Sequence, residues 1–360
     1  MRKRKLALFF AAILFSHGEL FAQFVKITPL GAHTGEFCSP DRALVFEDPT
    51  GVRILYDPGT TVAGGNDPRL TMHGRLDAIL VSHAHGDHIG SSKMTQSPDD
   101  PGATCASVAT VPTPDSNAAE IAAAQKLAIV ASQDLAPFIG GKVQRLLGGN
   151  SIPSCQTSGT GNETVTPLAG ACVGTIGYGA KRTIRAGDAA TGVQIALVQA
   201  LHGNALPNSL LAEPLVSALT ASGVSFSPGA PTGYVVSFTN GLRVYLSGDT
   251  GQTSDMSTVV KGYYGANLVV LNIGDVFSTG PEEAAFVINQ LIQPLSVIPS
   301  HANEVATSGG ALLPNTKTAR FAQAVTTASV YPPLSGVTME FDGFGHCIIG
   351  CSGQNKPRSR

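Results

Sequence analysis

The chain has no tryptophan, few aromatic residues (6%) and a charged fraction of only 13%. So little charge excludes a charge-solvated disordered chain. With 41 glycines and 23 prolines, it describes a loop-rich globular protein with a sizeable apolar interior. Lys and Arg number 23 against 25 Asp and Glu, a formal net charge of −2, which implies no face for nucleic acid. Beyond the N-terminus there is no long apolar run, so no stable membrane insertion is expected. No pair of Cys-x-x-Cys clusters is present, which argues against thiolate-held zinc. No Gly-x-Ser-x-Gly stretch occurs, which removes the serine nucleophile elbow.

At the N-terminus Arg2, Lys3, Arg4 and Lys5 precede an apolar run from Leu6 to Phe15, followed by Phe21, Ala22 and Gln23. The run is far short of the ~20 residues of a membrane span. Residues 1–22 therefore read as a signal peptide, and the mature chain as periplasmic or secreted. Loss of that segment takes the formal charge from −2 to about −5. Cys38, Cys105, Cys155, Cys172, Cys347 and Cys351 remain, and an even number in an exported chain favours disulfides. Cys155 with Cys172 is the expected local pair, and Cys347 needs a bend at Gly350 to meet Cys351.

What the chain does have is Val81-Ser82-His83-Ala84-His85-Gly86-Asp87-His88, directly after the apolar run Ala78 to Val81. A strand ending in such a turn delivers imidazoles and a carboxylate to one point, the pattern of a metal site. His83 and His85, two apart on extended backbone, can face one ion, whereas Asp87 and His88 follow the glycine bend and can turn to a second.

Strand patterns cover Val25 to Thr28, Ala43 to Glu47, Val52 to Tyr56, Ala78 to Ser82, Leu127 to Ala131 and Val193 to Leu201. They resume at Tyr234 to Thr239 and Leu242 to Ser247, joined by the hairpin signal Asn240-Gly241, then at Leu268 to Ile273 and near Val337 to Phe341. Helices are expected from an N-cap at Asn117, over Gln133 to Phe138, in broken form within Pro207 to Ser222, near Asp255 to Tyr263, and from Asn315 to Thr327. Another opens at a capping box Thr279-Gly280-Pro281-Glu282 and runs to about Ile292. Prolines make residues 94–116 a surface insertion with the composition of a lid or a plain loop. The Gly, Ser and Thr-rich residues 150–179 read as an irregular excursion with too few large apolar side chains for a core. Residues 23–360 are thus expected to form one domain with two insertions.

Asp57, His202, Asp249 and His301 also stand at the ends of apolar strands, where a scaffold can converge distant residues. His83, His85 and His202 would hold one ion and Asp87, His88 and His301 another, with Asp249 bridging. A water shared by two such cations loses a proton near neutral pH and becomes the attacking hydroxide. Asp87 and Asp249 are the expected catalytic carboxylates. Asp57 is placed either behind a ligating imidazole, accepting its spare N–H, or in a turn before Pro58. His33 is expected to line the site. The ligand set suits Zn first, with Mn, Fe or Ni as alternatives.

These motifs resemble the metallo-β-lactamase superfamily, whose hallmark is His-x-His-x-Asp-His after a strand. Tyr245 to Gly251, Leu271 to Ala285 and Val297 to Asn303 resemble the branch of metal-dependent hydrolases with ascorbate-6-phosphate lactonase-like proteins, and Leu30 to His33 and Leu55 to Pro58 fit its opening. The resemblance implies an α/β fold, a four-layer αββα sandwich with a dinuclear site between two sheets, the same ligand roles, and Asp275 and Asn303 at the pocket. In relatives an aromatic residue often follows the last ligand histidine; Ala302 here implies a wall left open. The implied activity is hydrolysis of a lactone, a β-lactam-like cyclic amide or another ester-like bond in a small molecule. Phosphodiester hydrolysis is the alternative, followed by iron redox chemistry or metal binding without turnover.

Overall fold

The computed structural model describes residues 24–106, 108–155 and 162–351. The expected signal peptide lies outside the described residues. Two eight-stranded sheets face each other. In the first, the order runs Cys347–Ile349, Met339–Phe341, Val25–Pro29, Leu44–Glu47, Arg53–Tyr56, Ala78–Leu80, Ala128–Ser132 and Cys172–Ile176. In the second it runs Ser329–Val330, Ser296–Ser300, Leu268–Asn272, Arg243–Leu246, Thr232–Ser237, Val193–Gln199, Lys181–Ala186 and Glu163–Thr166.

The strands that carry the site are mostly apolar and mostly buried, because both of their faces are largely covered. Side chains alternate across a strand, and the core divides accordingly. Ala78 and Leu80, with Val244, Leu246, Leu268 and Val270, meet between the sheets. Ile79 and Val81 point outward to Ile121, Ile139 and Val143, on or beside the helices Asn117–Gln125 and Leu135–Leu146. Tyr245, Val269 and Leu271 point the other way, to Met256, Ala284 and Phe321 of the helical segments Met256–Lys261, Pro281–Phe286 and Lys317–Ala324. The result is a four-layer αββα sandwich, as the resemblance implied.

Several local expectations are corrected. Residues 150–179 are not merely irregular, because Glu163–Thr166 and Cys172–Ile176 form one edge of each sheet. An edge strand buries alternate residues only, and Thr164, Thr166, Cys172, Gly174 and Ile176 suffice. Ser116, not Asn117, caps the next helix by accepting from the Ala119 N–H at 3.2 Å. Asn117 instead donates to the Gly59 and Val62 carbonyls. The helix expected to end at Phe138 continues to Leu146. Gly280 takes the cap position where Thr279 was expected, since the Thr279 hydroxyl is engaged with Asn272. The helix Leu215–Ser222 buries none of its residues.

Disulfides join Cys38 to Cys105, Cys155 to Cys172 and Cys347 to Cys351, the last around Gly350 at φ +73°. The first pins the insertion after Met94 to the turn that follows Val25–Pro29, where Thr34 N–H also donates to Pro98 O at 3.2 Å. No described helix is long and apolar enough to cross a membrane.

Asp41 organises that same turn, accepting from Ala32 N–H and Cys38 N–H at 2.8 Å each. Burial pushes its carboxyl up to about 7, against those donors and the charges of Arg42 and Arg69. A folded-state value raised above the ordinary 3.8 means that the folded chain binds the proton more tightly than the unfolded one. This contribution to stability is full below 3.8 and lost as pH rises toward 7, by at most about 1.4 kcal/mol per pH unit. Urea unfolding across that window should show the stability of wild type falling relative to Asp41→Asn; a constant difference would contradict the assignment.

Candidate metal centre

The strand Ala78–Leu80 runs into His83 and His85, and the short helix Gly86–Ile89 then presents Asp87 and His88. From the second sheet, Val193–Gln199 leads to His202, Arg243–Leu246 to Asp249, and Ser296–Ser300 to His301. Gly248, at φ +57°, permits the close approach of the two sheets here, since a Cβ would stand 2.9 Å from Ser82 Cβ and from Thr232 O. Asn204 braces the His202 segment, accepting from the Ala84 N–H at 2.6 Å and donating to Gly229 O at 3.1 Å.

All seven expected ligands come together, in two groups: His83, His85, His202 and Asp249, and Asp87, His88 and His301. Within each group the ligand atoms lie within 4.8 Å of one another. His202 Nε2 is 3.2 Å from His85 Nδ1. Asp249 Oδ2 is 3.6 Å from His202 Nε2 and 3.2 Å from His301 Nε2, and its Oδ1 is 3.5 Å from His88 Nε2. Asp249 thus touches both groups.

Asp57 faces this cluster from behind. It accepts from Ser82 N–H at 2.8 Å, from the Ser82 hydroxyl at 2.7 Å and from His88 Nδ1 at 2.8 Å. Because the Ser82 hydrogen is committed to Asp57, Ser82 Oγ is the acceptor for His83 Nδ1 at 3.0 Å. Both imidazoles therefore carry a proton on Nδ1 and turn Nε2 inward. Those two Nε2 atoms and Asp249 Oδ1 are buried without a hydrogen-bond partner. Buried polar atoms are rarely left so, and imidazole and carboxylate atoms of this kind, His83 Nε2 and Asp249 Oδ1 in one group and His88 Nε2 in the other, suit divalent cations. Asp57→Ala should lower metal affinity about 10–100-fold, read by titration of the metal-free protein; wild-type affinity would contradict this role.

The electrostatics agree. Burial would lower His88, but Asp249, Asp87 and Asp57 around it raise it to about 10. Burial would raise the Asp87 and Asp249 carboxyls, yet His88 and His301, with Arg42 at Asp87, hold both well below the carboxylate range. Burial and neighbouring imidazoles lower His83 and His85. The carboxylates concentrate negative potential that calls for positive charge at this point.

Arg42, Ser82 and Asn204 were not among the expected residues. Arg42 donates to Asp87 Oδ2 at 2.8 Å and to Asn303 Oδ1 at 3.0 Å. A guanidinium only donates, so Asn303 must turn its amide nitrogen to His301 Nδ1, 3.1 Å away. His301 then carries its proton on Nε2, 3.0 Å from Asp87 Oδ2, and coordination through Nε2 would move that proton. Only Ser82, a polar residue at a buried strand end inside the histidine motif, was open to being read from the sequence.

The remaining expectations divide. Asn303 is at the cluster, whereas His33 turns to the insertion, its Nδ1 3.1 Å from Pro98 O. Asp275 is exposed and shapes its own loop, accepting from the Val276 N–H at 2.8 Å. Ala302 is fully buried in the outer apolar layer, so it opens no wall.

The family model described as the beta-lactamase superfamily domain matches residues 52–302. The chain is 27% identical over 261 residues to a protein named UPF0173 metal-dependent hydrolase from Cupriavidus necator, covering 70% of this chain and 68% of that one. A protein of the same name from Polaromonas sp. is 27% identical over 272 residues, covering 76% and 75%. Among solved structures, Igni18, a metallo hydrolase from Ignicoccus hospitalis, superposes with a TM-score of 0.52 at 21% identity, covering 89% of this chain and 100% of that one.

Proposed function

This chain belongs to the beta-lactamase superfamily, and on that premise we propose that it is a metal-dependent hydrolase holding two divalent cations, Zn foremost, that opens a lactone, a cyclic amide or another ester-like bond. The observation that carries the reading is that both ligand groups turn a buried imidazole nitrogen without a hydrogen-bond partner inward, His83 Nε2 in one and His88 Nε2 in the other, while Asp249 reaches both groups. His83, His85, His202 and Asp249 would hold one cation and Asp87, His88 and His301 the other, with Asp249 shared. Bound cations would supply an electrophile for the scissile carbonyl and acidify water near neutral pH.

The chain's own residues do the rest. Asp57 and Ser82 fix the ring orientation and protonation of His83 and His88. Arg42 holds the Asp87 carboxylate and the Asn303 amide in place. Asp87, with its side chain 42% exposed, is the carboxylate open to substrate and is placed to orient it or exchange a proton with it. The three disulfides support a periplasmic or secreted location. Residues 23–360 are read as one catalytic domain, with a small molecule as substrate.

The test is a panel of a lactone, a β-lactam and an activated phosphodiester, each with and without chelator. Chelator-sensitive turnover of the lactone or the β-lactam in preference to the phosphodiester is expected. Faster phosphodiester turnover, or hydrolysis indifferent to chelator, would overturn the reading.

A further inference from the structure

The loop between the strand Leu268–Asn272 and the helix Pro281–Phe286 is fastened to the metal centre at both ends. At its start, a Cβ on Gly274 would stand 2.8 Å from His301 Nδ1 and 3.0 Å from Asn303 Nδ2, so this backbone lies directly against a proposed ligand. At its end, Thr279 N–H donates to Thr250 O at 3.0 Å, and Thr250 follows Asp249 in the chain. The Thr279 hydroxyl also donates to Asn272 O at 2.8 Å.

Between these anchors the backbone is strained. Asp275 and Val276 adopt φ of +67° and +61°. Phe277 N–H donates to Asp275 O at 2.7 Å, closing a three-residue turn around Val276. Left-handed backbone is uncommon without glycine, and for a β-branched residue it is an outlier. The strained turn holds two large apolar side chains out in water, with Val276 84% and Phe277 78% exposed. Val276 is the most exposed large apolar side chain among the described residues. Leu201, 59% exposed and directly before His202, is tied to the same anchor, its N–H donating to Thr250 Oγ1 at 2.9 Å. Strain of this kind persists where the surroundings impose it and gathers at functional sites.

We propose that Val276 and Phe277 form an apolar contact for substrate, so that the preferred substrate carries an alkyl or aryl substituent beside its scissile bond. The proposal rests on the hydrolase reading above and names the substrate class for that site. Two side chains at one loop tip are too small a surface for a protein partner, which needs about 800 Å² on each side. They match the size of one substituent, and the loop that carries them is anchored beside a polar site at Gly274 and Thr279. Binding would bury their surface and gain specificity in KM, while the cluster does the chemistry.

The experiment compares γ-butyrolactone with γ-dodecalactone, which share the reacting ring and differ in one alkyl chain, on wild type and on Val276→Asn/Phe277→Ser. Both positions are exposed, and asparagine tolerates the left-handed backbone. Wild type should favour the dodecalactone in kcat/KM. The variant should lower that preference by about tenfold through KM, with butyrolactone turnover within about twofold and metal content unchanged. A preference unchanged in the variant, or equal use of both lactones by wild type, overturns the apolar contact alone. Turnover of neither lactone by the metal-loaded wild type overturns the lactone reading and this inference with it.

Discussion

Replacing Asp249 with alanine should reduce kcat/KM by at least about a thousandfold, some 4 kcal/mol of transition-state stabilisation. Asp249 is almost fully buried, and its two oxygens reach His202, His301 and His88, hence both ligand groups. No neighbouring carboxylate stands in the same relation: Asp57 is taken up by Ser82 and His88, and Asp87 lies on the His301 side, paired with Arg42. Asp249→Asn keeps the shape and removes the charge, so it should be impaired nearly as severely. Circular dichroism should show both variants folded, because the sheets pack through the apolar layer between them. Activity near wild type in either variant would remove Asp249 from the bridging position.

Exhaustive chelation should bring turnover to background and lower the thermal midpoint. A cation binding only the folded chain at a free concentration about a hundredfold above its Kd stabilises by about 2.7 kcal/mol, and that increment is lost with the metal. The pH dependence has a definite sign. With no cation bound, His88 stays protonated up to about 10, and its Nε2 must give up that proton to act as a ligand. Metal loading near neutral pH should therefore release protons, and affinity should rise with pH until His88 deprotonates on its own. Calorimetric titration in buffers of different ionisation enthalpy reads the proton count directly. Loading without proton release would place the cation away from His88.

Much of this centre was legible in the sequence because ligands at strand ends leave a local mark. His83 to His88 follow an unbroken apolar run, and His202, Asp249 and His301 each terminate another. The layers were legible for the same reason, since strands buried on both faces read as continuous apolar segments. What escaped depends on partners distant in sequence. Arg42 lies in a turn with no periodic pattern, and only the fold brings it 2.8 Å from Asp87. Thr279 has the spacing of a helix cap, yet Asn272 competes for its hydroxyl and wins. Asp275 sits in a stretch whose resemblance implied a place at the pocket, but its carboxylate is spent on the turn that displays Val276 and Phe277. The edge strands in residues 150–179 were hidden by composition, because an edge needs only alternate buried side chains.

The central claim is that two ligand groups sharing Asp249 hold two ions. Elemental analysis of the purified chain after loading with zinc or manganese tests it most directly, on wild type beside Asp87→Ala, which disturbs only the group of Asp87, His88 and His301. Two ions per chain in wild type and one in Asp87→Ala is the predicted result, within the precision expected of a site with complete ligand sets. One ion or fewer in loaded wild type, or the same count in both proteins, would contradict it.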